Sequence, residues 1–75
     1  MYKVKIFGAG SSGNHYAHAC RTKGWEIVLC DIDPEALKRT RKEIYPERYG
    51  RWDESIRLIN SNEDMESNYD IVILC

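Results

Sequence analysis

"KVKIFGAGSSGNH", residues 3–15, decides how the chain is read. Lys3 to Phe7 alternates charged and apolar side chains and then meets glycine, as a strand does where it ends abruptly. Glycines follow at Gly8, Gly10 and Gly13, in the spacing G-x-G-x-x-G. From Gly13 the period changes, with Gly13, Tyr16, Ala17 and Cys20 at i, i+3, i+4 and i+7 on one stripe of a helix. Small residues plus one ring suit close packing on a sheet. His15, His18, Arg21 and Thr22 are predicted on the opposite, solvated face. Lys23-Gly24 supplies a basic last turn and a glycine stop.

Outward from this stretch, "WEIVLCD" (25–31) has Ile27-Val28-Leu29-Cys30 apolar without alternation, as a parallel strand covered on both faces would be. "DPEALKRTRKEI" (33–44) predicts a helix, with Asp33 as its N-cap, Pro34 at its first position and Glu35 in its first turn. Pro46 is expected to stop that helix and Gly50 to turn the chain. "SIRLIN" (55–60) reads as a short strand, and residues 61–68 as polar chain with one helical turn around Glu63 to Glu66. "YDIVILC" (69–75) reads as a last strand, apolar on both faces. The order β-α-β-α-β-β predicts an α/β fold with a parallel sheet and right-handed crossovers, half of a doubly wound Rossmann fold. Residues 1–75 are read as one partial dinucleotide-binding domain, with no substrate domain.

A strand, a glycine turn and a helix in succession give each glycine a physical task. Gly8 makes the turn off the strand, Gly10 lets backbone approach a pyrophosphate, and Gly13 lets the helix lie close to the first strand. Unpaired N–H groups at Ser11, Ser12 and Gly13 face the anion, helped by the helix dipole, and the two serine hydroxyls add donors. Asp31 closes the second strand, about 20 residues on, where a carboxylate accepts from the adenosine ribose hydroxyls and repels a 2′-phosphate. The expected cofactor is therefore NAD, with NADP less favoured, although Lys38 and Arg39 follow on the helix. The expected binding residues are Gly8, Gly10, Ser11, Ser12, Gly13 and Asp31.

Bulk properties exclude other classes. Eleven Lys and Arg against twelve Asp and Glu leave a net charge of −1, which gives no basic field for nucleic acid and no polybasic patch for a membrane. Lys3 and Lys5 interrupt the early apolar stretch, so no secretory signal is read, and a cytoplasmic location is expected. Cys20, Cys30 and Cys75 form no C-x-x-C pair and are expected as free thiols, the first two buried.

Three further groups invite sharper readings that the sequence does not favour. His15 and His18 lack a third metal ligand on their face and are expected as solvated residues. Asp31 and Asp33 divide into one ribose ligand and one helix cap. Tyr45, Tyr49 and Trp52, with only Arg48 and Arg51 among them, are expected to pack over the sheet end rather than stack on bases.

"KVKIFGAGSSG", "EIVLCDIDPEAL" and "YDIVILC" together resemble the amino-terminal part of the Gfo/Idh/MocA oxidoreductases. That resemblance covers essentially the whole chain. It implies an NAD(P)-binding Rossmann domain of an enzyme that moves hydride between the cofactor and a sugar-like or polyol substrate. Ser12 departs from the family's usual apolar residue before the third glycine. The family's Thr-Pro-Pro-like and Glu-Lys-Pro segments would follow the fourth strand. None of its catalytic residues falls within these 75 positions, and a truncated fragment, inactive alone, is expected. An apolar last strand would leave an open edge, so self-association through residues 70–75 is expected as its alternative cover. The chain is also similar to the non-catalytic NAD-sensing domains of potassium-uptake systems, including "DIDPE". It lacks the Gly-Asp those domains carry after the third strand.

Overall fold

Each apolar run becomes a strand, as the sequence predicts. A computed structural model describes residues 1–63 and 67–75. The strands are β1 (Lys3–Phe7), β2 (Glu26–Asp31), β3 (Ile56–Asn60) and β4 (Ile71–Leu74). They form one sheet in the order β3-β2-β1-β4. Every pairing is parallel, with Ile6 opposite Leu29, Val4 opposite Ile71 and Ile27 opposite Ile56. This is the α/β Rossmann-type half that the element order predicts. Between β1 and β4 the strand order reverses, and a doubly wound sheet opens its crevice at that point.

Helix α1 (Ser11–Thr22) starts two residues earlier than its apolar period, at the glycine turn itself. Its buried residues are Gly13, Asn14, Ala17 and Cys20. Tyr16 was expected on this stripe but is 44% exposed, and Asn14 takes the inward place at 0%. The tight glycine contact draws the first turn so near β1 that a short amide fits where a ring does not. At the far end Lys23 caps the helix, and Gly24, at φ +78°, turns the chain into β2.

The second helical stretch corrects the sequence reading more deeply. Asp33 caps α2 (Pro34–Arg39) as predicted, accepting from the Glu35 N–H at 2.9 Å. Pro46 does not stop the helix. A π turn over Thr40–Ile44 leads into α3 (Tyr45–Tyr49), the Tyr45 N–H reaching back to the Thr40 carbonyl. Proline lacks the N–H of a regular turn and crowds the carbonyl four residues back, so a wider turn just before it accommodates the ring. Gly50, at φ +93°, then ends the helix, its N–H on the Pro46 carbonyl at 2.9 Å.

The helices pack on one face of the sheet, where Val4, Ile6, Ile27, Leu29 and Ile56 meet Ala17, Cys20, Ala36 and Tyr45. Each large aliphatic side chain sealed here contributes about 2 kcal/mol. On the other face Lys5 is only 8% exposed, its ammonium lying 4.5 Å from the centre of the Tyr69 ring. β4 differs from the expected strand covered on both faces: Ile71 and Ile73 pack on the core, while Val72 is 53% and Leu74 80% exposed. Ser61–Glu63 is a single 3-10 turn, and the rest of the helical turn expected around Glu63 to Glu66 lies outside the described residues. Cys20 and Cys30 are buried free thiols and Cys75 is an exposed one.

Candidate functional site

The glycine turn sits at the carboxyl ends of β1 and β4, at the strand reversal. Gly8 adopts φ +105°, a region side chains rarely enter, and a Cβ there would press on the Cys75 carbonyl oxygen at 3.0 Å. A Cβ on Gly13 would run into the Gly8 carbonyl, so only glycine permits this approach of α1 to the end of β1. At Gly10 the situation is the opposite: an added Cβ would meet nothing within 4 Å. That direction is open space, into which a bound group can come against the backbone.

Gly8, Gly10, Ser11, Ser12, Gly13 and Cys75 line a recess of about 220 Å³. Five of the six sequence-predicted residues therefore share one wall. Asp31 joins them through a bond to the turn, its Oδ2 accepting from the Ala9 N–H at 2.8 Å. Its Oδ1 accepts from the Asp33 N–H at 2.9 Å. A carboxylate offers about four acceptor sites, so both oxygens retain capacity for hydroxyl donors.

Residues that the sequence reading passed over hold the turn in shape. The buried Asn14 amide donates to the Gly10 carbonyl at 2.8 Å and to Thr40 Oγ1 at 3.0 Å. Thr40 Oγ1 in turn donates to the Ala9 carbonyl at 2.9 Å, linking the π turn to the glycine turn. Asn14 Oδ1 is buried with no hydrogen-bond partner among the described residues. Asn14 falls outside the Gly13, Tyr16, Ala17 and Cys20 stripe read from the sequence, so the helical period did not mark it. Arg48 offered no signal either, because a π turn sets its direction. Its Nη1 donates to the Ser11 carbonyl at 2.8 Å and its Nη2 to Ser11 Oγ at 2.6 Å.

The other end of α1 carries an aromatic cluster. His18 is not a solvated residue: its ring stacks on Tyr49 at 3.7 Å between centroids, and its Nδ1 lies 3.0 Å from the Tyr45 hydroxyl. The Tyr45 ring meets Tyr49 and Trp52 edge-on at 4.7 and 5.3 Å, and the three pack on one another and on the core cluster of sheet and helix residues. Arg21, also expected in solvent, bonds Asp53 at 3.1 Å and the Trp25 carbonyl at 2.7 Å. Burial works to raise the Asp53 carboxyl, but the Ser55 N–H and the Arg21 guanidinium outweigh it and hold the group below its usual range. Burial, with Asp53 and Tyr49 nearby, pushes the Tyr45 hydroxyl up against the pull of Arg21.

A larger recess of about 500 Å³ opens beside Tyr45, Tyr49, Arg51, Trp52, Asp53 and Glu54. Tyr45 stands edge-on to Tyr49 and Trp52 there, and none of the sequence-predicted site residues lines it. Size therefore points away from the chemistry here, and the smaller recess at the strand reversal is the better site. Among the described residues no three His, Cys, Asp or Glu converge to hold a metal, and no helix is long and apolar enough to cross a membrane.

Residues 3–73 match the family described as 3-hydroxyacyl-CoA dehydrogenase, NAD binding domain. The chain belongs to this family. It is an NAD-binding dehydrogenase domain, of Rossmann type, and NAD is its cofactor. Over 68 residues it is 29% identical to a glycerol-3-phosphate dehydrogenase [NAD(P)+] of Acholeplasma laidlawii (strain PG-8A), covering 91% of this chain. It spans only 19% of the length of that relative. No solved structure matches the chain. The resemblance to Gfo/Idh/MocA enzymes is thus corrected at family level and kept at the coarser one, the NAD-binding part of an oxidoreductase.

Proposed function

We propose that Gly8, Gly10, Ser11, Ser12 and Gly13 cradle the NAD pyrophosphate and that Asp31 receives the adenosine ribose hydroxyls. The observation that carries this reading is the open direction at Gly10, in a turn where Gly8 and Gly13 are sterically required. Ser11, Ser12 and Gly13 at the start of α1 line the same recess, where a helix offers unpaired N–H groups and the positive end of its dipole. Asp31 is pinned by the Ala9 and Asp33 N–H groups, so it meets a ribose without first being ordered. Its charge opposes a 2′-phosphate, which favours NAD over NADP.

Bound NAD accepts or returns hydride at its nicotinamide. The residues named here hold the adenosine and phosphate portion and set its orientation. The full dehydrogenase of which such a domain is part would act on a hydroxyl-bearing substrate, as the names of the matched family and of the Acholeplasma relative both indicate. The sugar-like or polyol class is a narrower form of that proposal. We also propose self-association through residues 70–75, where β4 exposes Val72 and Leu74 and its outer edge has no strand partner among the described residues. A purely monomeric sedimentation profile at high concentration would remove it.

Calorimetric titration with NAD, NADP and ADP-ribose tests the cofactor reading. Wild type is expected to bind NAD and ADP-ribose and to discriminate against NADP. Asp31→Ser should weaken NAD about tenfold, the loss of charged hydrogen bonds, and narrow the gap to NADP. Equal binding of NAD and NADP by wild type would remove the ribose role of Asp31. A folded sample that binds none of the three would sink the cradle itself.

A further inference from the structure

We infer that Arg48 is a ligand of the NAD pyrophosphate, carried to the glycine turn by α3. This rests on the proposal that the turn cradles that group. Residues 8–13 are Gly, Ala, Gly, Ser, Ser and Gly, so the turn contains no cation of its own. The helix dipole supplies about half a unit of positive charge there. A pyrophosphate diester brings a negative charge on each phosphate, and Asp31 adds a carboxylate bonded to the same turn at Ala9. The site as read from the sequence is therefore short of positive charge.

Arg48 supplies it from 37 residues away in the chain. Its guanidinium reaches the first residue of α1, with Nη1 on the Ser11 carbonyl at 2.8 Å and Nη2 on Ser11 Oγ at 2.6 Å. A guanidinium has five N–H groups in a rigid fork, and these bonds engage two of them. The remaining donors match the paired oxygens of a phosphate, an arrangement that an ammonium cannot reproduce. The bond to Ser11 has a second effect. Because Ser11 Oγ accepts from Arg48, its own proton is left to donate, and Ser11 lines the recess. Arg48 therefore contributes directly as a cation and sets Ser11 as a donor.

A tether between α3 and α1 would make the same two bonds with no ligand role, and the test separates these cases. The full 75-residue chain is prepared as wild type, Arg48→Met, Arg48→Gln and Arg48→Lys, with folding checked by circular dichroism. NAD, ADP-ribose and adenosine are titrated at low and moderate salt, adenosine by saturation-transfer NMR. Arg48→Met and Arg48→Gln are expected to weaken NAD and ADP-ribose about tenfold and leave adenosine unchanged. Their NAD affinity should also depend less steeply on salt, since an exposed cation has been removed. Arg48→Lys should fall between wild type and Met, keeping charge without the fork. Unchanged NAD affinity in a folded Met or Gln variant overturns the role of Arg48 and leaves the cradle standing. Equal loss for NAD and adenosine, with a lowered melting temperature, makes Arg48 a tether and also overturns it. Failure of wild type to bind NAD defeats the cradle first, a result distinct from either.

Discussion

The two ends of α1 are built from different materials. At the start, Gly13 and Asn14 let backbone lie against backbone, and contact is made by carbonyls, an amide and the Thr40 hydroxyl. At the far end, contact is made by the rings of His18, Tyr45, Tyr49 and Trp52 and by the Arg21–Asp53 ion pair. Rings bury much area and hold elements together. Glycines bury little and leave room for a ligand against bare backbone. One helix thus anchors with its C-terminal half what it offers with its N-terminal half.

If that division is real, damage at the two ends should read out differently. Tyr45→Ala removes a ring that is only 3% exposed, and should cost about 4 kcal/mol in urea unfolding. Under conditions where that variant stays folded, NAD affinity should match wild type. A parallel loss of affinity would break the comparison. Gly13→Ala forces a Cβ against the Gly8 carbonyl and should cost about 2–3 kcal/mol. Here NAD binding should fail even in the folded fraction, because α1 can no longer lie where its N–H groups meet the phosphates.

Two smaller effects sharpen the boundary between the ends. Thr40→Val removes the hydroxyl that holds the Ala9 carbonyl and should cost about 1–2 kcal/mol by urea melts. NAD affinity should fall with it, since the deleted bond shapes the turn. Asp53 gives the smallest effect, under about 1 kcal/mol. Its carboxyl titrates lower in the folded chain than in the unfolded one, because the Ser55 N–H and Arg21 outweigh burial. The contribution is therefore present at neutral pH and is lost as pH falls from about 4 toward the depressed folded value. Urea midpoints followed from pH 6 downward should lose this component in Asp53→Asn, while NAD affinity at pH 7 stays unchanged.

Much of the upper end was legible in the sequence because backbone geometry demands particular residues there. Gly8 and Gly13 stand where no side chain fits, and Asp31 stands where β2 delivers it beside Ala9. The lower end was misread for two reasons. His18 and Arg21 were placed in solvent by the helical period of α1 alone, and the helix after Asp33 was expected to stop at Pro46. The chain instead widened its turn ahead of the proline and ran on to Tyr49, which brings the Tyr45 and Tyr49 rings against His18. A π turn has no compositional mark comparable to G-x-G-x-x-G. Family, too, was beyond reach, since cofactor-facing residues are shared among oxidoreductases whose substrates differ.

The wide turn at Thr40–Ile44 is also a phase shifter. It inserts one residue into a helix with 3.6 residues per turn, so everything after it is rotated by about 100° relative to an unbroken helix. That single rotation sets the azimuth at which Tyr45 and Tyr49 face His18 and at which Arg48 faces Ser11. A one-residue deletion between 40 and 44 would leave every named side chain in place along the sequence and turn both groups off α1 at once. The anchor and the cation at the glycine turn therefore take their direction from the same angle, set by that one turn.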